Sequence, residues 1–182
     1  NRRMLVSLFV LFFGAMLVAG LLRFSGWRPE GMKNMGELLE PYGDLRSYSP
    51  TLQDGGAYRW QDSPRTWRIV VVPRECDGAR AAACAKLLED LDKVWQVMGR
   101  NADRVHLLWG GAVPAGATMP GEARLIRVDD GLRAGLVRWD VADAAGDAAW
   151  LVERGGDGFM RYAPGFDPGD LRTDLARMLK IN

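Results

Sequence analysis

The sequence has few of the side chains that most often carry chemistry. Among its 182 residues there are one histidine, His106, and two cysteines, Cys76 and Cys84. No Gly-x-Ser-x-Gly motif accompanies the histidine, so a Ser-His-Asp hydrolase is not indicated. No Cys and His group has the spacing of a zinc site, and no Gly-x-x-x-x-Gly-Lys loop predicts a nucleotide phosphate site. Several common enzyme classes therefore have no support in this sequence.

An excess of charge of one sign is also lacking. The chain has 24 Lys and Arg against 23 Asp and Glu, which gives a formal net charge of +1. Proteins that bind nucleic acids usually present a strongly basic surface. We therefore expect no nucleic-acid partner.

One part of the chain has no charge at all. The run from Met4 to Leu22 contains only apolar residues and Ser7. As a helix it would span ~28 Å, close to the ~30 Å hydrocarbon core of a bilayer. A cleaved signal peptide is the alternative, but its apolar region is usually shorter and ends in a small-x-small cleavage site. We therefore expect a single transmembrane anchor that contacts the lipid bilayer through this run.

The rest of the chain is long enough for one domain with its own core. We predict a cytoplasmic tail and anchor at 1–22, a juxtamembrane linker at 23–43 and a folded domain at 44–182. The linker is placed there because residues such as Pro29 and Pro41 break regular structure. Arginine and lysine lie on both sides of the anchor, so charge alone does not fix its orientation.

Hydrophobic periodicity predicts both strands and helices in the domain. Residues 69–72 are β-branched throughout, which is typical of a central strand buried on both faces. Residues 87–98 carry a single apolar stripe at helical spacing. The other predicted elements are a hairpin at 48–60, strands at 104–109, 123–128, 148–152 and 158–162, a short helix at 130–136, and a C-terminal helix capped by Asp167.

The order of these elements predicts an α/β fold. A strand–helix–strand segment implies a right-handed parallel crossover, whereas the last hairpin adds antiparallel strands. A mixed central sheet with helices on its faces satisfies both requirements. The Gly- and Pro-rich residues 110–121 read as a loop, and the pattern assigns no role to it.

Several local motifs point to a known family. They are Gly36-Glu-Leu-Leu-Glu-Pro41, the Asp54-Gly55-Gly56 turn, the strand at 67–72 that leads into a cysteine, the hairpin at 150–158, and Tyr162-Ala-Pro-Gly165. With this element order, the sequence resembles membrane-anchored thioredoxin-like proteins, specifically the Sco-like proteins of Proteobacteria associated with cytochrome c oxidase assembly. The resemblance implies a thioredoxin-like mixed sheet, a periplasmic domain on a single-pass anchor in the bacterial inner membrane, and a respiratory oxidase as partner.

The two cysteines are the candidate disulfide or redox residues. In the thioredoxin-like pattern, the reactive cysteine follows the first central strand at a helix N-terminus, whose dipole stabilises a thiolate. Cys76 is near that position, but residues 77–83 separate it from Cys84, a wider spacing than in the family's redox pairs. Gly78 permits a loop that brings the two Cα atoms within ~4.4–6.8 Å. A structural disulfide, a redox pair and two idle thiols all stay open.

The copper site of the Sco family is only partly represented. By resemblance it needs two thiolates and a histidine before the final hairpin, and Cu(I) prefers soft ligands. Residues 143–149 contain no histidine, and the proline that the thioredoxin-like pattern expects there is also absent. We therefore expect no confident metal ligand and no cofactor, although copper stays open. We interpret His106 as a strand histidine with hydrogen-bond partners.

The acidic residues Asp140, Asp143 and Asp147 have a plainer interpretation. Their spacing does not fit a calcium-binding loop. We interpret them as part of a solvated loop.

These expectations combine into a functional hypothesis. The chain would be a membrane-tethered, non-catalytic accessory or assembly protein, or a small subunit, of a respiratory cytochrome c oxidase. The alternatives are a periplasmic thiol–disulfide oxidoreductase, with Cys76 attacking and Cys84 resolving, and a copper chaperone that uses both cysteines.

Overall fold

The chain divides into two units, Asn1–Lys33 and Asn34–Asn182. The computed structural model describes residues 1–25, 34–60, 65–139 and 147–180. Pro29 of the predicted linker, and Asp140 and Asp143 of the predicted acidic loop, lie outside the described residues.

The first unit consists of helix α1, Arg2–Phe24. Its segment Arg2–Leu22 is long and apolar enough to cross a membrane, and none of it is buried. Large apolar side chains are exposed along this helix from Met4 to Leu22. The helix therefore has the length and composition of the predicted anchor.

The second unit is built on a six-stranded mixed sheet with the strand order β1-β6-β5-β2-β3-β4. The strands β2, β3 and β4 are parallel, β5 is antiparallel to β2, and β6 pairs antiparallel with β5 and β1. The strand bounds are Glu37–Asp44 (β1), Trp67–Val71 (β2), Val105–Gly110 (β3), Ala123–Ile126 (β4), Ala149–Val152 (β5) and Asp157–Tyr162 (β6). The predicted mixed sheet is confirmed.

Among the described residues of this unit, three α-helices accompany the sheet, and α2 is flanked by 3₁₀ turns at Gly78–Arg80 and Gly99–Arg104. The helices are α2 (Ala81–Val97), α3 (Asp130–Gly135) and α4 (Pro168–Lys180). The carboxylate of Asp167 accepts the backbone N–H of Gly169 at 2.7 Å, which is the predicted N-cap of α4.

The sheet separates two hydrophobic clusters. In β2, Ile69 and Val71 face the cluster that contains the buried sides of α2 and α4, whereas Val70 faces the cluster that contains Trp150. Both faces of β2 are therefore buried, as its β-branched run predicts. This central strand positions the loop that carries the first cysteine.

The predicted linker at 23–43 is wrong in its second half. Strand β1 begins at Glu37, and the carboxylate of Asp174 in α4 accepts the backbone N–H groups of Met35 and Gly36 at 2.8 and 3.0 Å. The apparent breaker Pro41 is tolerated because β1 is an edge strand whose register with β6 is irregular. Gly43 is needed for packing, because a Cβ there would collide with the carbonyl oxygen of Gly135.

The predicted hairpin at 48–60 is reduced to a turn. Among the described residues of this segment there is one internal bridge, between Thr51 and Ala57, and Gly55 in the turn has a φ of 92°. A second bridge joins Leu52 to Ile126 of β4. The segment therefore covers the outer edge of β4 instead of forming two strands of its own.

Candidate functional site

Cys76 and Cys84 form a disulfide, with an S–S distance of 2.09 Å and a Cα–Cα distance of 5.7 Å. Cys76 lies in the loop after β2, and Cys84 lies in the first turn of α2. Cys84 shares the buried face of α2 with Leu88 and Leu91, and its exposure is 0%, against 9% for Cys76. The bond therefore lies at the edge of the core, and Cys76 is its more accessible half. The idle-thiol alternative does not describe this structure.

A buried carboxylate faces this disulfide. Asp147 lies just before β5. Ala149 of β5 pairs with Val71 of β2, and this pairing places Asp147 beside the loop that follows β2. One of its oxygens, Oδ1, accepts hydrogen bonds from the Arg80 guanidinium at 2.7 Å and from the Arg74 backbone N–H at 3.1 Å. The charge is thus paired, as burial of an ionised carboxylate requires.

The second oxygen of this carboxylate points at sulfur. Oδ2 of Asp147 lies 3.9 Å from Sγ of Cys84, and the Asp147 side chain is only 4% exposed. The interpretation of Asp147 as part of a solvated loop is therefore wrong. The sequence carries little signal for this role, because only the fold brings the residue before β5 next to α2.

A small cleft adjoins the buried carboxylate. It has a volume of about 210 Å³, which is below the usual size of a small-molecule site. One wall is the stacked pair Trp139 and Trp150, with ring centroids 5.9 Å apart, and the guanidinium of Arg161 lies 5.9 Å from the Trp150 ring. Its lining residues are Val72, Arg74, Trp139, Asp147, Ala148, Trp150, Arg161 and Pro164. Most of these residues are buried, including Trp150 and Arg161 at 3% exposure each, so the cleft is a recess beside Asp147 with little open aromatic or basic surface.

The single histidine lies at the other end of the sheet. His106 pairs with Arg68 at the start of the parallel strands, whereas Trp109 and Val71 pair three positions further on. At ~3.3 Å per residue this places His106 ~10 Å back from the carboxyl end of β2, beyond which Cys76 lies. Imidazole and sulfur are therefore at opposite ends of the sheet.

His106 is satisfied by a buried polar network. The Tyr58 hydroxyl accepts from Nε of Arg68 at 2.9 Å and lies 2.8 Å from Nδ1 of His106. The hydroxyl can donate its own hydrogen or accept a second hydrogen bond, so it pairs with Nδ1 in either imidazole tautomer. Burial and the nearby Arg68 charge lower the pKa of His106, and burial raises the pKa of Tyr58. This geometry supports the interpretation of His106 as a strand histidine with partners.

The donor set does not fit the copper site that the resemblance implies. The two sulfurs are joined to each other, the imidazole is at the far end of the sheet, and the position before β5 holds the hard carboxylate of Asp147. Cu(I) prefers soft sulfur and imidazole ligands. Within the described parts of the chain, no group of three or more His, Cys, Asp and Glu side chains could hold a metal ion.

Comparison with protein families identifies the domain. A family described as "transmembrane-like, thioredoxin-like, C-terminal domain" matches residues 67–182, from β2 to the end of the chain. The chain belongs to this family. The matched region contains both cysteines, Asp147 and His106. No curated protein matches the sequence.

Solved structures with the same fold include Sco proteins. BsSco, titled a member of the Sco family of cytochrome c oxidase assembly proteins, has a TM-score of 0.53 and 9% identity, covering 85% of this chain and 100% of BsSco. Trgpx in its apo form has a TM-score of 0.52 and 12% identity, covering 75% and 95% of the two chains. ScoI of Bradyrhizobium japonicum with copper bound has a TM-score of 0.48 and 15% identity, covering 71% and 95%. The predicted thioredoxin-like fold is confirmed.

Proposed function

We propose that the chain is a single-pass accessory or assembly protein, or a small subunit, of a respiratory cytochrome c oxidase in the bacterial inner membrane. Its domain works on the periplasmic side, and it acts by binding rather than by thiol exchange or copper transfer. The observation that carries this proposal is the placement of the disulfide. Cys84 is fully buried between α2 and the sheet, and the polar group next to it is a carboxylate instead of an imidazole.

The anchor and the family support a role at a membrane complex. Helix α1 has the length and composition to stay in a bilayer, and the family is described as transmembrane-like. The similarity of the fold to BsSco, a member of the Sco family of cytochrome c oxidase assembly proteins, is the reason for choosing a respiratory oxidase as client.

Thiol exchange is the second candidate, and one observation favours it. Cys76 lies in the loop after the central strand β2 and, at 9% exposure, is the more accessible half of the bond, which is where an attacking thiolate would have to enter. In that case the pair would cycle between disulfide and dithiol, and both cysteines would be required.

Complementation separates the two candidates. In the native bacterium we would delete the gene and supply either the wild-type chain or the variant Cys76→Ala/Cys84→Ala, with protein levels matched by immunoblot. Oxidase subunit content and oxygen consumption with reduced cytochrome c are then measured in isolated membranes. A binding role predicts that deletion lowers both quantities and that the cysteine-free chain restores most of the loss.

The opposite results have distinct meanings. A cysteine-free chain that is present at wild-type level but restores nothing would overturn the non-catalytic role. Copper analysis of the purified full chain, reduced and then reoxidised, would then distinguish a copper carrier from a thiol oxidoreductase. If deletion leaves the oxidase unchanged, the proposed client is wrong.

The orientation needs its own measurement. Alkaline phosphatase fused to the C-terminus folds only after export. Green fluorescent protein fused at the same place fluoresces only if it stays in the cytoplasm, because it does not fold when it is exported by the general secretion route. We expect an active phosphatase fusion and a dark fluorescent fusion. The reverse pair of results would place the domain in the cytoplasm.

A further inference from the structure

We propose that Asp147 keeps the Cys76–Cys84 disulfide closed by opposing the formation of a thiolate on Cys84. The inference concerns the bond itself, so it holds or fails whether or not the chain serves an oxidase. Its basis is a specific arrangement: a carboxylate oxygen 3.9 Å from the fully buried sulfur of Cys84.

The direction of the effect follows from the geometry of the ion pair. Asp147 uses Oδ1 for the Arg80 guanidinium and the Arg74 backbone N–H, and it directs Oδ2 to Sγ of Cys84. The negative end of the pair therefore faces the sulfur. Because the Asp147 side chain is only 4% exposed, little solvent screens this interaction. The start of α2 would favour a thiolate through its dipole, and the carboxylate counteracts that tendency.

The chemistry of reduction places negative charge at this point. A dithiol reductant, as its thiolate, attacks the more exposed Cys76, forms a mixed disulfide and breaks the Cys76–Cys84 bond. The electron pair of that bond leaves on Cys84, 3.9 Å from the carboxylate. The second thiolate of the reductant then attacks the reductant sulfur that is bonded to Cys76. This closes the ring of the reductant and releases Cys76 as a thiolate. The reductant ends as a cyclic disulfide, and its two protons end on the cysteine sulfurs.

A nearby negative charge raises the pKa of a thiol, and a thiolate of higher pKa is a slower leaving group. Asp147 should therefore slow the first bond-breaking step. It should also shift the equilibrium toward the disulfide, because the dithiol form cannot gain stability by ionising at this position.

The test measures reduction of the full chain in detergent by dithiothreitol at pH 7.5. Samples are quenched with an alkylating reagent, and each cysteine is followed by peptide mass spectrometry. For Asp147→Asn we expect the reduction rate to rise at least about tenfold. In dithiothreitol redox buffers we expect a shift of the equilibrium in the same direction but smaller than the rate effect, because ionisation stabilises the dithiol only when a thiol pKa lies near or below the pH.

Two further variants separate charge from packing. Glu75→Gln is the matched control, because it removes one negative charge next to Cys76 from an exposed side chain. We expect it to change the rate less than about twofold, since exposed charges are screened. Asp147→Glu keeps the charge and alters the packing. We expect it to stay near the wild-type rate, whereas a purely structural role predicts that Glu and Asn accelerate reduction equally.

A pH profile provides a second readout of the charge at Asp147. In the reduced wild-type chain, the alkylation midpoint of Cys84 should lie at least about one pH unit above that of Cys76, and Asp147→Asn should lower it. Greater exposure of Cys84 would also lower this midpoint, so Asp147→Glu is the deciding comparison: a charge effect predicts that Glu keeps the wild-type midpoint, whereas loosened packing predicts that Glu and Asn lower it equally. The comparison of Cys84 with Cys76 in the wild-type chain needs no variant, so it tests the proposal even if the variants do not fold. The proposal is overturned if Cys84 titrates at or below Cys76, or if Asp147→Asn is reduced at the wild-type rate.

Discussion

The two ends of the central sheet are held together by different chemistry. After the carboxyl end of β2, a covalent bond joins the loop to α2, and the Arg80–Asp147 ion pair packs beside it at 2.7 Å. At the other end, no covalent bond is involved. There Arg68, only 1% exposed, donates to the Tyr58 hydroxyl at 2.9 Å and to the Thr66 carbonyl at 2.7 Å.

This difference separates the two sulfurs from the imidazole along the length of the sheet. The sulfurs lie beyond the carboxyl end of β2, and the imidazole lies at the start of the parallel strands. The difference also implies that the two ends respond to different conditions. We expect the disulfide end to respond to reductants and the hydrogen-bonded end to respond to pH through His106.

The largest expected effect comes from the hydrogen-bonded end. Arg68→Ala removes the donor to Tyr58 and Thr66, and it leaves a gap under the Tyr58 and Trp60 rings, whose centroids lie 5.7 and 5.3 Å from the guanidinium. We expect a loss of about 3 kcal/mol or more in the free energy of unfolding. Urea denaturation of the full chain in a mild detergent, followed by tryptophan fluorescence, measures it.

The control for this variant is Arg100→Ala, which removes an exposed arginine just before β3. Its effect should stay within about 0.5 kcal/mol, as for most surface substitutions. If Arg68→Ala costs no more than this control, the buried network does not stabilise the amino end of the sheet.

The disulfide end should show a smaller effect. Removing a cross-link that closes so short a loop, with a sequence separation of 8, costs roughly 2–3 kcal/mol on the chain-entropy estimate. We therefore expect Cys76→Ala/Cys84→Ala to lower the free energy of unfolding by this amount. Saturating reductant should lower the wild-type value by a similar amount and leave the variant unchanged. A variant as stable as the oxidised wild type would show that packing alone holds this end.

The sequence predicts the elements that depend on local pattern. The β-branched run of β2, the apolar stripe of α2 and the Asp167 cap of α4 are properties of neighbouring residues, and all three are confirmed. The expected approach of Cys76 and Cys84 is also local, because residues 77–83 limit how far apart they can lie.

The sequence does not predict what depends on distant pairing. Strand β1 contains Pro41 and Gly43, which normally indicate a loop, and it is a strand only because β6 supplies its partner. Asp147 lies in an acidic, Ala-rich stretch, and only the β2–β5 pairing brings it to the sulfur of Cys84. The burial of Arg68 likewise cannot be predicted from its neighbours in sequence, because its hydrogen-bond partner Tyr58 comes from the turn before β2.

The smallest effect concerns pH at the hydrogen-bonded end. Burial and the Arg68 charge lower the pKa of His106 in the folded chain below its ordinary value of 6.5. The unfolded chain therefore binds a proton at higher pH than the folded chain, so unfolding is favoured as pH falls below 6.5. The contribution of His106 to stability should be complete above this pH and lost as pH falls toward the lowered pKa.

This dependence is measured as the slope of unfolding free energy between pH 7 and 5. The folded pKa values of Asp44 and Asp129 are lowered by hydrogen bonds from Arg46 and Tyr48, and carboxyl groups of this kind titrate below the window. We expect His106→Gln, which is neutral at every pH, to flatten the slope. The Cys76→Ala/Cys84→Ala variant should keep the wild-type slope, because its change is at the other end of the sheet. If His106→Gln retains the full slope, other groups set the pH response, and the assignment of pH dependence to this end of the sheet is wrong.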